Sequence, residues 1–365
     1  MTGATAPVRI ALAGCGAVSS QYYAPALQEL QRAGDVVLAA VFDPDRDSAE
    51  RLAAQFPAVA VADSFDSLQA AAFELAVVAS PPTLHASQSI QLLRAGRAVL
   101  CEKPMATTLV DAQAMVAAAA ESQAVLAVGM VRRFLPAAEF IRDAIALGML
   151  GELSSFDLAE GSADFSWPVT SPSYFQRQQA GGGVLMDIGV HVLDLLTWWL
   201  GEPATLEYAD DAMGGIEANC QFSCAYANGL QGKVRLSRDA PLANRFTLRG
   251  NKGWLSWSAN VADAVEIGLQ GSTHLLEATL RRTGPAGTPL RSTAPAYNFE
   301  QSFVSQLRNV ARAVRGREAL RVPASDALAA IRQLEYCYGH RSLLALDWLG
   351  DAEIERARLL QQAMK

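Results

Sequence analysis

The sequence predicts an α/β protein: an N-terminal Rossmann doubly wound parallel sheet, followed by an α+β domain with a mostly antiparallel open sheet. Three observations carry this. Near-continuous apolar runs alternate with helical patterns over the first 130 residues. Gly14 and Gly16 stand where the first run meets the first helix. After about residue 150 the runs become alternating and are joined by Asn-Gly or Gly turns. A length of 365 residues suits two domains rather than one. The expected division is 1–130, dinucleotide-binding, and 131–365, substrate-binding and oligomerisation.

In order, "VRIALAG" (8–14) is a first strand closed by glycine, and a helix spans about Val18 to Ala33. "VVLAAVFD" (36–43) ends in aspartate, a helix covers 45–55, and "AVAVAD" (58–63) and "ELAVVAS" (74–80) follow. A helix over 83–95 leads to "AVLCE" (98–102), and a helix over 107–121 leads to "AVLAVGM" (124–130). Apolar runs without alternation are what a sheet covered on both faces requires. "GELSSFDLAEGSADFSW" then opens as a strand and leads into a loop. "CQFSCAYANGLQGKVRLSR" (220–238) and "RFTLRGNKGWLSWS" (245–258) each read as a hairpin. The stretch 281–297, rich in Pro, Gly and Thr, is a loop, and 300–316 and 325–345 are helical in pattern.

Bulk properties narrow the function. A chain that is 51% hydrophobic and 18% charged is globular and core-rich. A net charge of −7 argues against nucleic acid or an anionic membrane as partner. No run of about 18 apolar residues occurs, and "MTGATAPVR" has no apolar signal core. The five cysteines, odd in number and scattered, read as reduced thiols of a cytoplasmic protein.

The first chemical motif is "AGCGAVSS". Gly14 permits a tight turn, Gly16 lets backbone approach a pyrophosphate, and Cys15, Ala17 and Val18 complete a loop whose N–H groups open a helix. Ser19 occupies the third glycine position. Asp43, at the end of the second strand, suits both adenine-ribose hydroxyls and repels a 2′-phosphate, which favours NAD over NADP. Arg46 nearby is the one residue that argues for a 2′-phosphate.

The second motif, "CEKPMA", brings Glu102 and Lys103 to the carboxyl edge of a strand, where open α/β sheets bind ligands. Pro104 keeps Lys103 out of the helical region, so its ammonium has a defined direction toward a substrate hydroxyl. The third is "GGGVLMDIGVHVLDLL" (181–196), a greasy segment that keeps Asp187, His191 and Asp194. On an α-helix the three share one face. That face suits a metal, an acid/base pair or a self-satisfied polar core; for Asp194 the structural reading is preferred. No second histidine or H-E-x-x-H pattern stands nearby, which weighs against metal.

Taken together, "GCGAVSS", "VASPPTLHA", "AGRAVLCEKPMA" and "GGGVLMDIGVHVLDL" resemble the glucose–fructose oxidoreductase/inositol dehydrogenase/rhizopine catabolism (Gfo/Idh/MocA) family. The likeness runs to about residue 200, loosens through the hairpins, and resumes in "AYNFEQSFVSQLRNVARAVRGRE". It implies a nicotinamide cofactor, a sugar, cyclitol or related polyol substrate, and a homo-dimer or homo-tetramer formed through the C-terminal sheet. Residue by residue, it implies a catalytic lysine at Lys103 and the D-x-x-x-H pair at Asp187 and His191. Ser80, Pro81 and Pro82 match a loop lying against the cofactor, with Glu102 also on that side. His85 either touches the cofactor or packs on that loop. Arg133 matches a substrate-facing position, and Tyr174 lies in a segment, 167–180, that borders the substrate.

The chemistry expected is hydride transfer between a carbinol carbon and NAD. His191, with an unperturbed pKa of about 6.5, serves as general base, Lys103 stabilises the alkoxide, and Asp187 orients the hydroxyl. Alternatives are action on a nucleotide-linked sugar or a glycoside through transient 3-keto chemistry, or a catalytically silent NAD- or sugar-binding protein.

Overall fold

A computed structural model describes residues 6–162, 180–212, 215–281, 297–344 and 350–363. The described residues form two compact units. The first takes those within Met1–Val131, Pro168–Gly181 and Glu300–Ile331; the second takes those within Arg132–Trp167, Gly182–Phe299 and Arg332–Lys365.

The first unit is built on β1 (Val8–Ala13), β2 (Val36–Phe42), β3 (Ala60–Val61), β4 (Leu75–Val78), β5 (Ala98–Cys101) and β6 (Leu126–Val128). They form one sheet in the order β3-β2-β1-β4-β5-β6, with every pairing parallel. That order reverses direction beside β1, the place where doubly wound sheets take up dinucleotides. The helices between the strands are α1 (Ala24–Arg32), α2 (Arg46–Ala53), α3 (Phe65–Gln69), α4 (Pro82–Arg94) and α5 (Leu109–Ser122). Every residue of β4 and β5 is buried, the consequence of helices on both faces. Thr108 caps α5 by accepting the Asp111 amide at 3.1 Å.

In the second unit, α6 (Pro136–Ala146) precedes β7 (Leu153–Gly161), and α7 (Val190–Leu200) precedes β8 (Thr205–Asp210). Next come β9 (Asn219–Ala225), β10 (Gln231–Ser237), β11 (Arg245–Gly250), β12 (Gly253–Ser258), β13 (Ala264–Leu269) and β14 (Leu275–Thr279). Both expected hairpins are present as β9–β10 and β11–β12. In β10 exposed and buried residues alternate, so one face of the sheet packs and the other is open. Two pairings are parallel: β7 with β10, and β8 with β15 (Ser342–Leu343).

Two helices near the C-terminus, α8 (Phe299–Val314) and α9 (Ala324–Gly339), lie close to their expected spans, and a further α10 covers Asp351–Ala363. The helix expected over 325–345 stops at Gly339, because Ser342 and Leu343 pair with β8. Glu300–Ile331, assigned by sequence to the second domain, joins the first unit instead. The reason lies in its side chains. Phe303 stacks on Tyr22 at 4.7 Å and meets Tyr23 edge-on at 5.3 Å, while the Val128 amide donates to the Val322 carbonyl. Burying one such aromatic contributes about 1.5–3 kcal/mol.

Candidate active site

The first unit supplies a dinucleotide turn. β1 ends at Ala13, and Gly14 takes φ +94°, a conformation disfavoured for side-chain-bearing residues. A Cβ there would lie 2.5 Å from the Ala79 carbonyl group, so only glycine lets this turn sit against the Ala79–Ser80 backbone. Gly16, Ala17 and Val18 remain partly exposed at the start of a π-helical turn, Ser19–Tyr23, that runs into α1. Ser19 explains the missing third glycine: it is buried, and its hydroxyl donates to the Gly14 carbonyl at 2.6 Å, closing the turn from within.

Asp43 follows β2 and accepts the Cys15 amide at 2.7 Å and the Asp45 amide at 2.8 Å. One lone pair on each carboxylate oxygen remains for a ribose hydroxyl. Arg46 is ion-paired with Glu50 at 2.7 Å and with Asp63, so its guanidinium is already engaged by carboxylates. The narrow Gly14 cradle, the exposed helix start and the retained acceptors on Asp43 all fit NAD. Cys15 itself is buried, and burial beside Asp43 pushes its thiol up to about 12, which makes it an unreactive packing residue.

Ser80, Pro81 and Pro82 form the loop into α4, with Pro82 as the first helical residue, where proline is favoured. The Ser80 hydroxyl donates to Gln88 at 2.7 Å. His85 does not face outward: it is 1% exposed, with its ring nitrogens 2.7 Å from the Ser80 and Pro104 carbonyls. Burial lowers its pKa, while the Pro104 and Ser80 carbonyls, both acceptors, pull it the other way. His85 therefore links the Ser80 loop to the Lys103–Pro104 segment, the packing role that the sequence offered as one of two.

Glu102 is also turned inward. Its carboxylate accepts the Tyr23 hydroxyl at 2.6 Å and the Lys103 amide at 2.9 Å, and Gln306 donates to the Tyr23 oxygen at 3.2 Å. Burial raises its pKa. Glu102 thus fixes the backbone of half-buried Lys103, while His85 holds the next residue.

In the second unit a π-helical turn, Leu185–Gly189, leads into α7. Such turns bond i to i+5 and recur at functional sites. Asp187 lies in that turn, and His191, 7% exposed, is the second residue of α7. The Asp187 carboxylate is ion-paired with Arg238 at 3.2 Å. Arg132 forms a bidentate pair with Glu160 at 2.7 and 2.6 Å, and the charge of Asp187 also acts on it. This half can orient a hydroxyl and accept a proton.

Asp194 does not join that group. It is 2% exposed and accepts two hydrogen bonds from Arg133, at 2.9 and 2.7 Å. Arg133, expected to face substrate, is equally buried and lies over Trp198 at 5.4 Å. A guanidinium left unpaired in that interior would carry a heavy desolvation cost, and Asp194 satisfies it. Tyr174 and the segment 167–179 lie outside the described residues. Among the described residues, no three His, Cys, Asp or Glu side chains gather to hold a metal ion.

Sequence reasoning missed Arg132, Arg238 and Glu160. Arg132 had a weak signal in the doublet "VRRF", where only one arginine can take the inward place. The others had none, because the parallel β7–β10 pairing sets Glu160 opposite Leu236, two residues before Arg238.

Fold and site together define a dinucleotide-binding Rossmann protein with a second, sheet-based unit. Residues 8–130 match the family model for an oxidoreductase family with NAD-binding Rossmann fold, and residues 139–256 match the GFO/IDH/MocA C-terminal domain. The chain belongs to the Gfo/Idh/MocA oxidoreductase family. It is 36% identical over 184 residues to 1,5-anhydro-D-fructose reductase of Ensifer adhaerens, a match covering 49% of this chain and 55% of that protein. It is 30% identical over 203 residues to D-glucoside 3-dehydrogenase of Escherichia coli strain K12, covering 55% and 56%. The chain thus spans about half the length of the curated relatives it matches. A solved structure of levoglucosan dehydrogenase in complex with NADH and levoglucosan superposes with a TM-score of 0.79 at 21% identity, over 92% of this chain and 98% of that one. That likeness is one of fold.

Proposed function

We propose that the protein is an NAD-dependent dehydrogenase or reductase acting on a hydroxyl or keto carbon of a sugar, cyclitol or related polyol. The observation that carries this reading is a family-typical NAD turn accompanied by Lys103, Asp187 and His191, with Asp187 held by Arg238. Bound NAD would accept the hydride in oxidation and return it in reduction. His191 takes the hydroxyl proton, Lys103 donates a hydrogen bond to the developing alkoxide, and Asp187 accepts one from the substrate to orient it. Gly14, Gly16, Ala17, Val18, Asp43 and the Ser80–Pro82 loop hold the cofactor. The relatives named above act on sugar derivatives, which supports the substrate class. D-glucoside 3-dehydrogenase also favours a second reading, oxidation of a glycoside at a ring carbon to a 3-keto sugar.

The second unit is the substrate and oligomerisation unit in this reading. The open face of its sheet, with Glu207, Lys233, Arg235, Arg245 and Arg249 among its lining, is concave and carries both charge signs. Such a surface suits a second copy of the chain across a two-fold axis. No helix among the described residues is long and apolar enough to cross a membrane. Five buried free cysteines suit the cytoplasm.

A panel of polyols, free sugars, glycosides and keto-sugars, followed by NADH absorbance in both directions and repeated with NADP, tests the function. Turnover with at least one sugar-class compound and a preference for NAD is expected. Inactivity across the panel despite tight NAD binding would replace the enzyme reading with that of a binding protein.

A further inference from the structure

In the second unit, Gly182 and Gly183, just before Asp187, lie against Tyr338 and Glu217. Glu217, between β8 and β9, is 1% exposed, and its Oε1 accepts three hydrogen bonds: from the Gly183 amide at 2.9 Å, the Leu185 amide at 3.1 Å and the Tyr338 hydroxyl at 2.8 Å. The Glu217 carbonyl accepts a fourth, from the Val184 amide at 3.0 Å. Three consecutive amides at the start of the Asp187–His191 segment thus end on one residue distant in sequence. The first amides of a helix have no partner within it, and burial would make them costly to leave unpaired.

The two glycines are shaped to this arrangement. A Cβ on Gly183 would lie 2.0 Å from the Glu217 carbonyl oxygen, and one on Gly182 would lie 2.1 Å from the Tyr338 hydroxyl. Glu217 is held in turn. Asp211 accepts the Ala218 and Asn219 amides at 2.9 and 3.0 Å, which fixes the backbone beside it. Tyr338 packs edge-on to Tyr208 at 6.1 Å and beneath Arg341, which is ion-paired with buried Asp210 at 2.8 Å. The acceptor therefore belongs to a rigid framework, while the segment it caps carries Asp187 and His191.

We propose that Glu217 is a positioning residue: with Tyr338 it fixes where the π-helical turn begins, and thereby where Asp187 and His191 point. The proposal rests on the catalytic reading of those two residues given above. Misplacing a reacting group by about 1 Å costs on the order of 100-fold in rate.

The test uses the full chain with Glu217→Ala, Glu217→Gln and Tyr338→Phe, read by hydrogen exchange of peptides within 181–196 and by steady-state kinetics. In Glu217→Ala, exchange there accelerates roughly tenfold or more, while peptides of the Gly14 turn are unchanged. Its kcat falls about 10- to 100-fold with little change in the KM for NAD. Glu217→Gln, which keeps an acceptor oxygen, restores most of the protection and rate. Tyr338→Phe moves both readouts the same way by less, and stays informative where the alanine variant folds poorly. Wild-type exchange over 181–196 in Glu217→Ala and Tyr338→Phe would overturn the proposal, as would a rate loss no larger than the loss of folded protein. Unimpaired turnover by Asp187→Asn and His191→Asn would instead overturn the catalytic reading, and the exchange data would still decide whether Glu217 fixes the turn.

Discussion

Arg133 and Asp194 hold each other by two charge-assisted hydrogen bonds, 2.9 and 2.7 Å long, with both side chains 2% exposed. Removing one partner leaves a buried charge uncompensated. Asp194→Ala is therefore expected to lower stability by about 3–5 kcal/mol, whereas replacing both residues by apolar ones of similar volume costs much less. Urea unfolding of the two variants measures the difference. Equal losses would show that the pair is not what Asp194 contributes.

Gly14 is expected to tolerate no side chain. Its φ of +94° and the 2.5 Å approach of a Cβ to the Ala79 backbone leave no soft neighbour to move. Gly14→Ala should lose about 2 kcal/mol or more of stability and most of its NAD affinity. Calorimetry with NAD reads both effects, and near-normal binding would remove the turn from the cofactor site.

The proposed function assigns cofactor choice to Asp43. Losing a hydrogen bond to a charged acceptor is worth about 1.5–3 kcal/mol, so Asp43→Ala should weaken NAD roughly 10- to 100-fold. NADP should be weakened less, since the carboxylate that repels a 2′-phosphate is gone. Dissociation constants for both nucleotides decide this, and an unchanged preference would place the discrimination elsewhere.

Glu102 gives stability a pH signature. Burial raises its pKa, with the Tyr23 hydroxyl and Lys103 pulling partly the other way. A carboxyl raised in the folded state favours folding most at pH below its unfolded value of about 4.3, and that contribution is lost as pH rises through the folded value. Glu102→Gln does not titrate. Wild-type stability relative to this variant should thus be greatest below the unfolded value and decline as pH rises above it. The Lys103 amide's lost acceptor adds only a pH-independent offset, so the slope carries the test. A difference that grows with pH would contradict the assignment.

The sheet of the first unit was legible because two-sided burial writes itself as unbroken apolar runs, as in "ELAVVAS", and because Gly14, Gly16 and Asp43 stand at fixed places around one turn. Asp187 and His191 were legible as polar residues in a greasy segment. Their partners were not. Arg238 reaches Asp187, and Glu160 reaches Arg132, only through pairings between distant strands. The choice between Arg132 and Arg133 depends on which one finds a buried carboxylate. Glu102 was expected on the cofactor side, and His85 either there or packed on the Ser80 loop, because both stand in ligand-facing motifs. Each is a short side chain whose hydrogen bonds serve the backbone that presents Lys103. The placement of Glu300–Ile331 turned on aromatic contacts of Phe303 with Tyr22 and Tyr23, which no local pattern announces.

The proposed role of His191 in moving the substrate proton is met most directly by the turnover of His191→Asn on a substrate of the wild-type enzyme, measured beside its NAD dissociation constant. The expected result is a fall in kcat of roughly 100- to 10,000-fold with NAD affinity within about threefold of wild type. Near-normal turnover with intact NAD binding would contradict it.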